Sequence, residues 1–194
     1  MRSSAATIQN SISGNTMRMR HGSNLKQKGK GKKIMYERFG EFNSAEEINE
    51  TAVNLRKEGD AESIRILARE NGIDEEVAEI FISGDIIYLC DLMSAATGKI
   101  EVEAAELKAK EIMADWADYI KVRCFEDENM ARAVRSKDKS LKGCIGELLK
   151  WSFKNQRTVD SEIMKAAGVS GRCTLGIPGM GTAKQIITEY YLGK

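Results

Sequence analysis

After residue 34 this 194-residue chain contains no histidine, because its only one is His21. Without an imidazole, the body cannot assemble a Ser-His-Asp triad, a Cys-His pair, an HExxH helix or a mixed Cys/His zinc site. The four cysteines, Cys90, Cys124, Cys144 and Cys173, include no CxxC pair, so a Cys-only zinc site would need four distant positions to converge. Three of them fall in apolar helical patterns, which reads as reduced core thiols of a cytoplasmic protein. The glycine-rich run from Gly176 to Lys184 precedes a helix and carries Thr182 and Lys184, so its helix terminus could attract an anion. Its order is Gly181-Thr182-Ala183-Lys184, however, not the Gly-Lys-Ser/Thr of a phosphate loop, and the dinucleotide glycine spacing is missing too. A turn feeding a helix cap is the plainer reading. Asp74-Glu75-Glu76 and Glu126-Asp127-Glu128 could hold a metal or work as acid and base, yet both lie at predicted helix starts, where carboxylates favour the positive end of the dipole. The expectation is a non-enzymatic protein with no catalytic residue, no metal site and no cofactor.

The remaining signal is electrostatic. Between Lys121 and Arg157 ten basic residues stand against five acidic ones. Arg132, Arg135, Lys137, Lys139, Lys142, Lys150 and Lys154 would form a basic face for nucleic acid or a partner if they cluster on one side, the alternative being an ordinary solvated surface. Residues 35–119 show the converse, with 21 acidic against 8 basic residues. Glu75, Glu76, Glu79, Glu101 and Glu103 are therefore candidates for an acidic partner-binding face, since carboxylates arrayed on helices can occupy a cationic groove that otherwise holds nucleic acid. Trp116, Tyr119, Phe125, Trp151 and Phe153 read as core aromatics, although Trp151, Tyr190 and Tyr191 could instead anchor a partner.

These side chains must be positioned by helices. Ser44 followed by Glu47 is a capping box that opens a helix running to Gly59. Asp60 caps a second that Asn71-Gly72 stops, and Asp74 caps a third over 75–82 that Ser83-Gly84 closes. A fourth is predicted over 85–96, ended by Gly98, and a longer one over 101–125 with a wide apolar face. Further helices are predicted over 129–134, after Ser140 to about 153, from Asp160 to Gly168, and over 183–192 behind Thr182. Residues 173–179 are the one plausible extended segment. The fold class is all-α: a compact bundle of about eight to nine mostly short helices with no extended sheet. Residues 35–98 read as an acidic N-terminal helical subdomain and 99–194 as a C-terminal one carrying the basic stretch 121–157.

The first 34 residues stand apart, with 8 basic and no acidic side chains. Such a segment cannot bury enough apolar surface to offset its ordering, so it reads as disordered. It could be a basic arm for phosphates or a transit peptide. A third reading comes from the genetic code: Lys28 to Ile34 back-translates to a purine tract resembling a ribosome-binding site just ahead of Met35, so 1–34 would not be translated. The composition, 42% hydrophobic and 30% charged with one proline, suits a globular helical chain long enough to bury about 70% of its unfolded surface. No apolar stretch reaches the roughly 18 to 20 residues of a membrane helix, so no membrane partner is expected.

Four stretches carry a resemblance. They are Met35-Tyr36-Glu37-Arg38-Phe39-Gly40-Glu41-Phe42, Glu70-Asn71-Gly72-Ile73-Asp74, the run from Ala133 to Cys144, and Leu175-Gly176-Ile177-Pro178 continuing through Ala183-Lys184-Gln185-Ile186-Ile187. From Met35 onward the chain resembles a family of small proteins carried by conjugative elements and phages of gut Firmicutes, and it is similar in size, composition and setting to anti-CRISPR proteins that block type II RNA-guided nucleases. The resemblance implies a bacterial cytoplasmic setting and, as partner, a host RNA-guided nuclease or its nucleic acid, with oligomeric state open. It carries over no functional residue. The alternative is a DNA-binding accessory or regulatory protein of the same elements.

Overall fold

The computed structural model describes residues 36–193. The basic leader, His21 and the start expected at Met35 lie outside the described residues. Those described belong to one compact unit, Lys33–Lys194, and form nine α-helices and one pair of very short strands. In chain order these are α1 (Ala45–Glu58), α2 (Ala61–Glu70), α3 (Glu75–Ser83), α4 (Leu92–Leu107), α5 (Ile112–Glu126), α6 (Glu128–Arg135), α7 (Leu141–Lys154), β1 (Arg157–Thr158), α8 (Ser161–Ala166), β2 (Thr174–Leu175) and α9 (Met180–Leu192). The class is all-α, with no extended sheet among the described residues.

Most helix starts follow the capping chemistry. The Ser44 hydroxyl accepts from the Glu47 amide at 3.2 Å, and Glu47 reaches back to the Asn43 amide at 2.7 Å, which completes the capping box. Asp60, Asp74, Asp127, Ser140 and Asp160 cap α2, α3, α6, α7 and α8 in the same manner. Five expectations need correction. Residues 85–91 are not helical: α4 begins at Leu92, where Asp91 accepts from the Ser94 amide at 2.7 Å. Gly98 does not stop a helix either, because α4 runs through it to Leu107. A Cβ at Gly98 would overlap the Asn71 carbonyl, and one at Gly72 would overlap the Gly98 backbone, so this glycine permits a close crossing. The helix expected over 101–125 is two helices, divided where Lys108 and Glu111 take positive φ values of 52°. At the C-terminal end, α9 starts at Met180, so Thr182 lies within its first turn and caps nothing. In the segment expected to be extended, only Thr174 and Leu175 pair, antiparallel to β1 with Arg157 opposite Leu175.

The buried apolar side chains form two clusters. One joins Ile48 and Ala52 of α1, Ile64 and Leu67 of α2, Ala78 and Phe81 of α3, and Leu89. The other joins Trp116, Ile120 and Cys124 of α5, Met130 and Val134 of α6, Leu141, Cys144 and Leu148 of α7, and Ile187 and Tyr191 of α9. Helix α4 serves both: Ala95 packs in the first, while Ala96 and Ile100 pack in the second. It crosses position 98, where the sequence suggested a subdomain boundary, without a break. No helix among the described residues is long and apolar enough to cross a membrane.

Candidate functional site

Charged side chains lie between the two apolar clusters. Lys99 is fully buried, and its ammonium meets Glu41 at 2.6 Å, donates to the carbonyls of Ser136 and Lys139 at 2.6 and 2.8 Å, and stands 3.8 Å from Glu103. The other Glu103 oxygen accepts from the Leu141 amide at 2.5 Å. Arg135, also fully buried, donates to the Phe42 carbonyl at 2.9 Å, the Asn71 side-chain oxygen at 3.1 Å and the Ala95 carbonyl at 3.4 Å. Ions persist in an interior only when paired and hydrogen-bonded, and here two cations face two carboxylates. Burial raises the Glu103 carboxyl above its ordinary value, against the pull of the Leu141 amide and Lys99. Burial lowers Arg135 and raises the Tyr36 phenol, whose hydroxyl, like the Arg135 Nε, is buried without a hydrogen-bond partner. This group fastens residues 41–43, the 71–72 turn and the 136–141 link to α4. Arg135 and Glu103 therefore belong to neither surface face, contrary to expectation. Each continues the buried stripe of its helix: Arg135 follows Ala131 by four residues, and Glu103 follows Lys99 by four.

The rest of the basic set is dispersed in role. Arg132 pairs with Glu128 at 3.8 Å and Lys150 with Glu147 at 2.6 Å. Lys139 turns inward, donating to the Tyr190 carbonyl at 2.7 Å with its ammonium 4.9 Å from that ring's centroid. Only Lys137, Lys142 and Lys154 of the seven are exposed with no ion-pair partner among the described residues. The acidic set fares differently. Glu79 makes a bidentate contact with Arg65 at 2.5 and 3.1 Å, which holds its carboxyl below the usual range. Glu101 lies 3.5 Å from Lys121. Glu75 and Glu76 are exposed on α3 with no ion-pair partner among the described residues, and so are Glu50 and Glu58 on α1 and Asp85 beyond α3.

A feature missed in the sequence follows α3 and includes Asp85. Residues 84–91 form an irregular loop braced from α1. The Asn49 side chain accepts from the amides of Leu89 and Cys90 at 2.8 and 3.1 Å and donates to the Cys90 carbonyl at 2.8 Å. Arg56 donates to the carbonyls of Phe81 and Ile86 at 3.0 and 2.9 Å while its guanidinium lies 4.2 Å from the Phe81 ring centroid. With Leu89 and Cys90 buried, Ile87 and Tyr88 point outward at 70% and 65% exposure. The available signal was five consecutive apolar residues between two aspartates, more than a short loop can bury.

The aromatic expectations divide. Trp116 is buried, but Phe125 and Phe153 are exposed. Tyr191 is buried, and the Tyr190 hydroxyl accepts from the Ser140 amide at 3.1 Å, so neither is an exposed anchor. Trp151 is half-buried. Residues 155–180 form an arm around β1, α8 and β2, whose side chains include none that is buried before Pro178. A cavity of about 280 Å³ between α4 and α5 is lined by Ile100, Ala104, Ala114 and Ala117, with Lys121 bridging Glu101 and Asp118. Among the described residues no three His, Cys, Asp or Glu side chains converge as a metal site would require. Compared with known proteins, the chain matches no family model, no curated protein and no solved structure.

Proposed function

We propose that this is a non-catalytic protein of a mobile element that binds and inhibits a nucleic-acid-targeting nuclease in the cytoplasm of its bacterial host, as anti-CRISPR proteins do. The acidic helices α1 and α3 are its working face. The observation that carries this reading is the unequal fate of the charges. Six of the ten cations in the stretch 121–157 are buried, turned inward or paired, leaving Lys137, Lys142, Lys154 and Arg157 exposed, whereas the acidic helices present Glu50, Glu58, Glu75, Glu76 and Asp85 to solvent with no ion-pair partner among the described residues. RNA-guided nucleases hold their nucleic acid in a positively charged channel, and exposed carboxylates on rigid helices are complementary to one.

The test is target cleavage by purified type II RNA-guided nucleases in the presence of excess protein. Inhibition is expected, and Glu75→Lys with Glu76→Lys should weaken it by about tenfold or more, as reversing charges at a complementary interface does. Uninhibited cleavage across several such nucleases would sink the reading. Tight DNA binding that falls steeply with salt and disappears with Lys137→Glu, Lys142→Glu and Lys154→Glu would instead support the accessory role at DNA.

A further inference from the structure

Two uncovered surfaces of this chain match each other in chemistry. The first is the braced loop 84–91. Its outward pair, Ile87 and Tyr88, follows the exposed Asp85, and the helix α3 that leads into the loop opens on the exposed Glu75 and Glu76. An aromatic held rigid before binding loses little entropy on contact, which is the character of an interface anchor, and these carboxylates favour a cationic partner.

The second is the arm 155–180. It is closed by the two residue pairs of the β1–β2 ladder and by the Val159 amide donating to the Cys173 carbonyl at 2.9 Å. A two-stranded ladder is marginal in water. Leu175 and Ile177 are nonetheless 61% and 60% exposed, and Phe153 at the arm's base is 74% exposed. Arg157 and Arg172 are exposed with no ion-pair partner among the described residues. Large apolar side chains left exposed together along so short a segment mark an interaction site, and the two arginines are opposite in charge to Asp85 of the loop. Because Tyr88 and Leu175 are both exposed within one chain, the two surfaces do not cover each other there.

We propose that a second copy of this chain covers them. Leu175 and Ile177 of one arm seat against Ile87 and Tyr88 of the other copy, while Arg157 and Arg172 face its Asp85, Glu75 and Glu76. A nucleic acid would satisfy the two arginines but leave all four apolar side chains in water. The contact joins unlike patches. Two copies exchanging arms about a twofold axis close it into a dimer; without closure it propagates head to tail. Nothing in this inference depends on the nuclease reading, since it is measured on the protein alone.

Sedimentation velocity of the full chain from about 1 to about 200 μM tests it. Reversible association is expected, weaker at about 500 mM salt than at about 50 mM because the charge contacts are screened. An arm-reversed variant (Arg157→Glu with Arg172→Glu) and a loop-reversed variant (Glu75→Lys, Glu76→Lys and Asp85→Lys) should each associate at least about tenfold more weakly. Mixing the two should restore association, because each then offers the other a complementary pair. Far-UV circular dichroism confirms that these surface variants are folded. A single monomeric species at every concentration overturns the proposal, as does a mixture of the variants that fails to associate. Monomeric protein whose arm arginines bind a labelled oligonucleotide also overturns it, and gives the arm to nucleic acid.

Discussion

At the residue scale, the consequential side chains are the buried ions, and they differ sharply from surface residues of the same type. Truncating Arg135 leaves the Phe42 and Ala95 carbonyls and the Asn71 side chain without their donor. Arg135→Ala should therefore cost about 3–5 kcal/mol, as breaking a buried charged network does. Lys137→Ala, on exposed surface, should stay within about 0.5 kcal/mol. Urea denaturation of both variants checks the contrast. Two acids should also titrate with opposite sign. Burial raises Glu103, so the stability it contributes is complete below the ordinary glutamate value and is lost as pH rises through its raised one. The Ser94 hydroxyl and amide lower Asp91, so its contribution is present above the ordinary aspartate value and fades as pH falls. As pH rises from about 4 to about 7 wild type should lose stability relative to Glu103→Gln, and as pH falls below about 4 it should lose stability relative to Asp91→Asn, measured as paired unfolding free energies. The thiols offer a further check. Burial pushes Cys90, Cys124 and Cys144 up to about 12, whereas Cys173 is partly exposed. Since the thiolate is the reactive form, native protein treated with iodoacetamide should take one adduct, at Cys173, and four after denaturation.

At the element scale, the helices that open on Ser or Asp caps were legible because capping is local chemistry. Ser44, Asp60, Asp74 and Ser140 each cap the helix they announce. Gly98 misled because its reason is not local: it lies against the 71–72 turn, 26 residues away in sequence. That single misreading hid the rest of α4. Once the helix is carried through Gly98, Lys99 and Glu103 fall on the same stripe as Ala96 and Ile100, and the buried ion group follows. Ile87 and Tyr88 were hidden by a second misreading, a helix predicted from residue 85 where the cap is in fact Asp91. Gly98→Ala should destabilise by about 2–3 kcal/mol, since the methyl must displace backbone and not a flexible side chain. Gly146→Ala in α7, where a Cβ meets nothing, should be neutral or slightly stabilising. Thermal unfolding of the pair separates crowding from helix propensity.

At the scale of the whole described unit, α4 joins two apolar clusters that meet across a layer of ions. Both tryptophans, Trp116 and Trp151, lie on the side of α5 and α7, while α1 to α3 report only through circular dichroism. Because α4 passes unbroken between the clusters and Arg135 ties residues 42, 71 and 95 together, the two halves should unfold as one. Tryptophan fluorescence and far-UV dichroism should give coincident urea transitions. An early dichroic phase without a fluorescence change would show that the acidic helices melt alone. The arm stands outside this cooperativity. Its ladder brings the backbone at Arg157 opposite that at Leu175, and everything between them is surface, apart from the half-buried Val159, Met164 and Cys173. The intervening residues thus form a cassette. A tight two-residue turn could replace them, or a foreign peptide could be displayed between the same two rungs, while the helices beneath keep their sequence unchanged.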